Sequence, residues 1–273
     1  MRIILIPSLI LFSIASYSQQ SHEMLAQHLI SLNAYNQKHP DVFSFQSNQA
    51  SLSKLSSFSV GVYSERRFMM EELSYYTLAA GLPTTSGNFG FTGNYSGSSV
   101  AKQMQVGLSY GRSLGKRIAA GAQFNYYHLQ LSGYGNASAV NVEAGLLFYV
   151  NEQVTAGVHV SNPTSTNLNK GDEEKLPAVY TAGIGYQPSD KLLISAEFQK
   201  QEDHDMGVHA GIQYQFGEKL MARAGFTTTT ETYMLGLGVQ LQMFRLDAIV
   251  SVHPYLGITP GLMLLFNRKG KTK

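Results

Sequence analysis

The chain has 273 residues, a formal net charge of +2, only 14% charged residues and no cysteine. That charged fraction lies well below the ~25% of ordinary soluble domains, and so small a net charge, with no clustered basic stripe, excludes a nucleic-acid-binding surface. Without thiols there are no disulfides, no thiolate chemistry and no lipid-anchoring cysteine.

The N-terminal stretch MRIILIPSLILFSIASYSQQ sets Arg2 ahead of an apolar run over residues 3–14, with small residues at Ser16 and Ser18. A positive residue, an apolar stretch and a small-residue end form the pattern of an export signal. Residues 1–18 are therefore expected to be removed, leaving a mature chain that starts near Gln19. No later apolar run reaches the ~18 residues of a membrane helix, and mean hydropathy is only -0.09.

Residues 19–57 come next. Leu25, Leu29 and Leu32 fall at helical spacing, which predicts a short amphipathic helix. The following HPDVFSFQSNQASLSKL alternates too little for a strand. A segment of this kind either hangs beside a barrel or enters it as a plug, and its residues do not choose between the two.

From residue 58 onward a period of two dominates, the mark of strands with one apolar face. In VHAGIQYQF, Val208, Ala210, Ile212, Tyr214 and Phe216 share one face against His209, Gly211, Gln213 and Gln215. Residues 102–113 set Met104, Val106, Leu108 and Tyr110 against Gln105, Gly107, Ser109 and Gly111. Stretches 118–131, 136–150, 153–161, 180–186, 191–200, 220–226, 232–241, 244–252 and 259–266 repeat the pattern. Weaker alternation marks 58–65, 74–82 and 88–97. Together these predict about fourteen strands, mostly near the ~9–11 residues that cross a tilted barrel wall.

The links sort by parity: SLGK, NEQ, PSDK, FGEK and QM alternate with RRFMMEE, GSSVA, LSGYG, NPTSTNLNKGDEEKLP, QEDHD, TTTTE and HPYLGI. Tight turns at one rim and longer loops at the other characterise transmembrane barrels, whereas a soluble sandwich has no reason to sort its loops. The expected fold is all-β: a transmembrane antiparallel up-and-down β-barrel over residues 58–266, whose apolar face, Ile212 and Leu237 included, meets lipid. Tryptophan is absent, so sixteen Tyr and fourteen Phe would supply the aromatic girdles.

SFQSNQASLSKLSSFSVGVYSERRFM, standing before a many-stranded Gly- and Tyr-rich barrel, resembles the start of the FadL-like outer-membrane family, a broad group that includes the PorV-type barrels of type IX secretion. Members carry an Asn-Pro-Ala segment tucked inside a fourteen-stranded barrel. Asn48, Gln49 and Ala50 stand in that place, with Gln49 where the family has proline. GITPGLMLLF, ending on Phe266, looks like the terminal strand signal read by the barrel-assembly machinery, and a basic tail, 267–273, extends past it. The resemblance implies a non-enzymatic role in the outer membrane, in transport of small or hydrophobic solutes or as an accessory of protein secretion. The implied partners are the lipid bilayer and either hydrophobic small molecules or secretion-system proteins, without cofactor or metal.

Two stretches invite a catalytic reading. GRSLG, residues 111–115, matches the nucleophile-elbow pattern, but that pattern needs a following helix and here another strand follows. QEDHDM places Asp203, His204 and Asp205 on a long-link tip, where a carboxylate beside an imidazole suits base catalysis or a metal; with no partner set, it is the alternative to a non-enzymatic barrel. HPD, residues 39–41, is read as coincidence. By parity, Glu143, His159, Glu197, His209, Arg223, Arg245 and Asp247 point into the lumen. Unpaired buried charge is costly, so these residues are expected either to pair as filling or to line a polar path. Arg245 and Asp247 share a face and are expected to pair, with Arg223 in reach.

Overall fold

The computed structural model describes residues 25–133, 135–166, 176–202 and 204–268. The expected export signal, Asp203, most of the long link after residue 161 and the end of the basic tail lie outside the described residues.

The barrel opens with β1 (Ser59–Arg66), β2 (Ser74–Thr84), β3 (Gly87–Gly97), β4 (Ala101–Ser113) and β5 (Ile118–Leu131). It continues with β6 (Gly135–Tyr149), β7 (Val154–Ser161), β8 (Val179–Tyr186), β9 (Leu192–Gln201) and β10 (Met206–Phe216). It ends with β11 (Leu220–Thr227), β12 (Thr232–Leu241), β13 (Phe244–His253) and β14 (Gly257–Asn267). Each strand pairs antiparallel with its sequence neighbours, and β14 pairs with β1 to close the cylinder. Closure leaves no open sheet edge.

The alternation read from the sequence sets the wall. Phe124, Ile212, Leu235 and Leu237 stand exposed outside, while Gln123, Asn125, Gln213 and Gly238 face inward. Strands β1–β3 are as regular as the rest. Their alternation is blurred because the inner face there is apolar too: Tyr63, Tyr75 and Ala79 join the core that receives Phe43 and Phe45. Aromatic pairs cluster near both ends of the wall. Phe89–Tyr110 and Phe244–Phe266 lie 5.2 and 5.3 Å apart near one rim, and Tyr76–Tyr95 lie 6.4 Å apart toward the other. Phe89 and Tyr95 share β3, roughly 20 Å apart along the strand at about 3.3 Å per residue.

Link length departs from the expected strict alternation. At the short-turn rim the connections are 85–86, 114–117, 150–153, 187–191, 217–219 and 242–243; at the opposite rim, 98–100, 132–134, 202–205, 228–231 and 254–256 are no longer than several of these. Only 67–73 and 162–178 carry the contrast. The expected long links were overdrawn because the strands pair further into them than side-chain alternation reveals. GRSLG is the β4–β5 hairpin, closed by the Leu114 amide donating to the Ile118 carbonyl over 2.8 Å.

Candidate functional site

The segment before β1 fills the lumen. The amides of Leu25 and Ala26 donate to the Glu65 carboxylate, at 2.8 and 3.3 Å, near the long-loop end of β1. Helix α1 (Gln27–Ser31) and a 3-10 turn (Leu32–Tyr35) then descend to the short-turn rim, where Lys38 pairs with Asp190 at 3.0 Å. Turns at Val42–Gln46 and Gln49–Lys54 carry the chain up and back to β1. Leu25, Leu29 and Leu32 are buried, and so are Ile30 and Ser31 on the other side of the turn. The helix is thus wrapped by barrel rather than lying with one face in water.

Glycine shapes the wall to this plug. Gly111, Gly121 and Gly145 are directly paired across β4, β5 and β6, and all face inward. A methyl group on Gly121 would come closer than 3.0 Å to the Gln49–Ala50 backbone, and one on Gly145 would strike the Asn48 side chain. Asn48 caps its own turn by accepting from the Ala50 amide at 3.1 Å, and donates to the Leu146 and Val158 carbonyls at 3.2 and 3.1 Å. Gln49 donates to Glu143 at 2.7 Å. Residues 48–50 therefore lie inside the barrel, seated on the glycine row.

The inward-facing charges separate into two groups. Toward the short-turn rim, Arg245 bonds Asp41 of the plug at 2.6 Å and Asp247 at 3.1 Å, while Arg223 lies 3.6 Å from Asp41 and 3.4 Å from Asp247. Two guanidiniums face two carboxylates in a nearly dry setting. Burial alone would raise the Asp41 carboxyl, but Arg245 and Arg223 hold it below the ordinary carboxylate value. Asp41 was missed in the sequence, its role hidden in HPD. Its only sequence signal was local, an N-cap position whose side chain accepts from the Phe43 amide.

Above the plug lies a cavity of about 130 Å³. Gln27, His28, Ser31 and Gln46 form its floor, Asn94, Gln105, Gln123 and Gln199 line its wall, and Glu143, His159 and Glu197 face it. Amides steer toward Glu143: Ser109 donates to Gln123, Gln123 to Asn125 at 2.7 Å, and Asn125 to Glu143 at 2.7 Å. His159 approaches Glu143 at 3.3 Å, and the Ser31 hydroxyl donates to Glu197 at 3.1 Å. His209 stands behind this floor, bonded to Thr227 and Gln199 at 2.6 Å each and stacked on His28 at 3.8 Å. Burial, with His209 beside it, holds the His28 pKa well below the usual imidazole value. His28 and Ser31 were not singled out from sequence, because helical periodicity drew attention only to the leucines.

On the outer wall, Ala120, Ala144, Ala182, Leu146, Val158 and Phe198 shape an apolar depression. His159, Thr181 and Gln199 line both this depression and the lumen cavity. His204 and Asp205 are exposed on the 202–205 link, and no group of three or more metal-ligating side chains occurs among the described residues.

No protein-family profile and no curated protein sequence matches the chain. Its fold is similar to that of several solved channel and transporter structures. The CymD monoaromatic hydrocarbon channel superposes with a TM-score of 0.65 at 11% identity, over 89% of this chain and 96% of that one. The toluene transporter TodX of Pseudomonas putida gives 0.58 at 12% identity, over 81% and 91%. A FadL homologue of Pseudomonas aeruginosa gives 0.55 at 12%, over 88% and 96%. At such identity the likeness is one of fold.

Proposed function

We propose that this protein is a non-enzymatic outer-membrane channel that admits small, largely hydrophobic solutes, with residues 25–57 as its internal gate. The apolar outer wall suits lipid rather than water, since exposed apolar surface on this scale otherwise drives association. Export through the leader 1–18 belongs to the same reading, and N-terminal sequencing of the membrane-borne protein should begin near Gln19. The observation that carries the transport reading is the thin partition at β7–β9. There the polar lumen cavity and the apolar outer depression share His159, Thr181 and Gln199, so a solute in the lumen lies one side-chain layer from the bilayer.

The absence of cysteine makes the test clean. Cysteines at Gln46 and Thr77, whose side chains meet at 3.1 Å, allow a short cleavable reagent to tie plug to wall. Cells with an intact lipopolysaccharide leaflet that express the protein should accumulate labelled toluene faster than cells without it. Cross-linking should abolish the gain, and cleavage should restore it. No gain in uptake with the untied protein would overturn the channel reading.

The filled lumen favours a second reading, a sealed barrel serving protein secretion in the manner of PorV-type proteins. In that case native membranes should yield stoichiometric co-purifying secretion components, and tying the plug should leave secretion intact.

A further inference from the structure

The cavity narrows the chemistry of the solute, a step that rests on the channel reading above. Amides and hydroxyls predominate in its walls beside Tyr75, Tyr127 and Val179, two carboxylates face it, and no lysine or arginine lines it among the described residues. The arginines near the plug are occupied elsewhere, balanced against Asp41 and Asp247. Glu143 receives N–H bonds from the neutral amides of Asn125 and Gln49, and Glu197 receives the Ser31 hydroxyl. Neutral donors stabilise an anion without cancelling its charge. Of the imidazoles that face the space, His28 has its pKa held well below the usual value by burial and by His209 beside it, and His159 stands 3.3 Å from Glu143. Low-dielectric walls focus that negative potential.

A separate feature points the same way. Thr92 is 1% exposed and lines the cavity, yet its Oγ1 has no hydrogen-bond partner among the described residues. Buried hydroxyls are ordinarily bonded, and this one keeps its hydrogen-bonding capacity unused beside the cavity. A pure hydrocarbon would strip water from amides and carboxylates and offer nothing in return. An anion would meet like charge, and a neutral alcohol would satisfy amides but leave the carboxylates uncompensated.

We propose that the cavity binds the protonated amino group of a small organic cation, with Glu143 and Glu197 as counter-charges and Thr92 Oγ1 with the wall amide oxygens accepting its N–H groups. A cavity of about 130 Å³ approaches the ~150 Å³ of an engineered site that holds benzene. The guest is therefore a short alkyl- or arylamine, whose apolar tail is compatible with exit through the outer depression.

The probes are n-butylammonium, 1-butanol and butyrate, matched in chain length and different in head group. Calorimetry on the full-length barrel in detergent should give n-butylammonium a Kd at least about tenfold lower than 1-butanol, the factor that one charge-assisted hydrogen bond supplies, and no measurable binding of butyrate. Glu197→Gln keeps a partner for the reversible Ser31 hydroxyl and should reduce that preference toward unity without lowering Tm. Thr92→Val should weaken the ammonium alone. Equal affinity for the amine and the alcohol, or a preference that survives in well-folded Glu197→Gln, would overturn the proposal. Uptake separates the two readings. Selective binding with no uptake of n-butylammonium by expressing cells refutes the channel and keeps the site, whereas uptake without head-group selectivity refutes the site alone.

Discussion

The two ends of the lumen use inward-facing charge in opposite ways. Toward the short turns, Asp41, Arg223, Arg245 and Asp247 cancel one another and tie the plug to β11 and β13. Toward the long loops, Glu143 and Glu197 are held by neutral donors around an amide-lined space. Side-chain parity is the same in both places. The difference lies in what the plug brings: a carboxylate to the arginines, and an amide and a hydroxyl to the glutamates. A balanced dry cluster acts as a latch, and an unbalanced polar one acts as a receptacle.

The largest expected effect breaks the latch. Asp41→Asn leaves two guanidiniums facing one carboxylate, and loss of one partner in a buried pair costs about 3–5 kcal/mol. Denaturant unfolding in detergent should show that loss, together with faster proteolysis of residues 25–57. A stability within error of wild type would mean that the cluster is hydrated and the contrast between the two ends is false.

A smaller loss should follow Gly121→Ala. The added methyl meets the Gln49–Ala50 backbone rather than a flexible side chain, and overpacking of this kind costs about 1–3 kcal/mol. Because Gln49 also supports Glu143, binding of n-butylammonium should weaken in the same variant. Lost stability with unchanged binding would uncouple the plug from the cavity.

Acid should then separate the two ends by pH. His28 is a base whose folded pKa is depressed, so its contribution is whole above the unfolded value of ~6.5 and declines as pH falls below it. Asp41, with its carboxyl held below the ordinary range, contributes fully above ~3.9 and is lost only as pH falls further. A melting curve against pH should therefore weaken first below ~6.5, and His28→Phe, which keeps an aromatic face on His209, should shrink that first phase and leave the second. A single phase below ~4 in the wild-type protein would remove His28 from the account.

Much of the wall was legible because a strand pair has only two faces. Once Phe124 alternates with Gln123 and Asn125, and Ile212 with Gln213, the greasy and polar sets must lie on opposite faces, and the low charge of the chain turned the greasy one outward. That reading weakened at β1–β3, where the plug makes the inner face apolar as well, and at the links, where backbone pairing continues beyond the alternating side chains. The plug itself was not legible. Its turns have no period, and Asp41, His28 and Ser31 acquire meaning only from Arg245, His209 and Glu197, residues far along the chain that strand registry brings opposite them.

The sequence by itself determined the barrel, its count of strands and which side chains face in, because periodicity two is a local property of the backbone. Only the tertiary structure decided that residues 25–57 enter the lumen, that in-register Gly111, Gly121 and Gly145 make room for Gln49, and that Arg223, Arg245 and Asp247 join a latch while Glu143 and Glu197 face a receptacle. Those outcomes depend on register and on close approach between distant segments, and neither leaves a trace in any single stretch of residues.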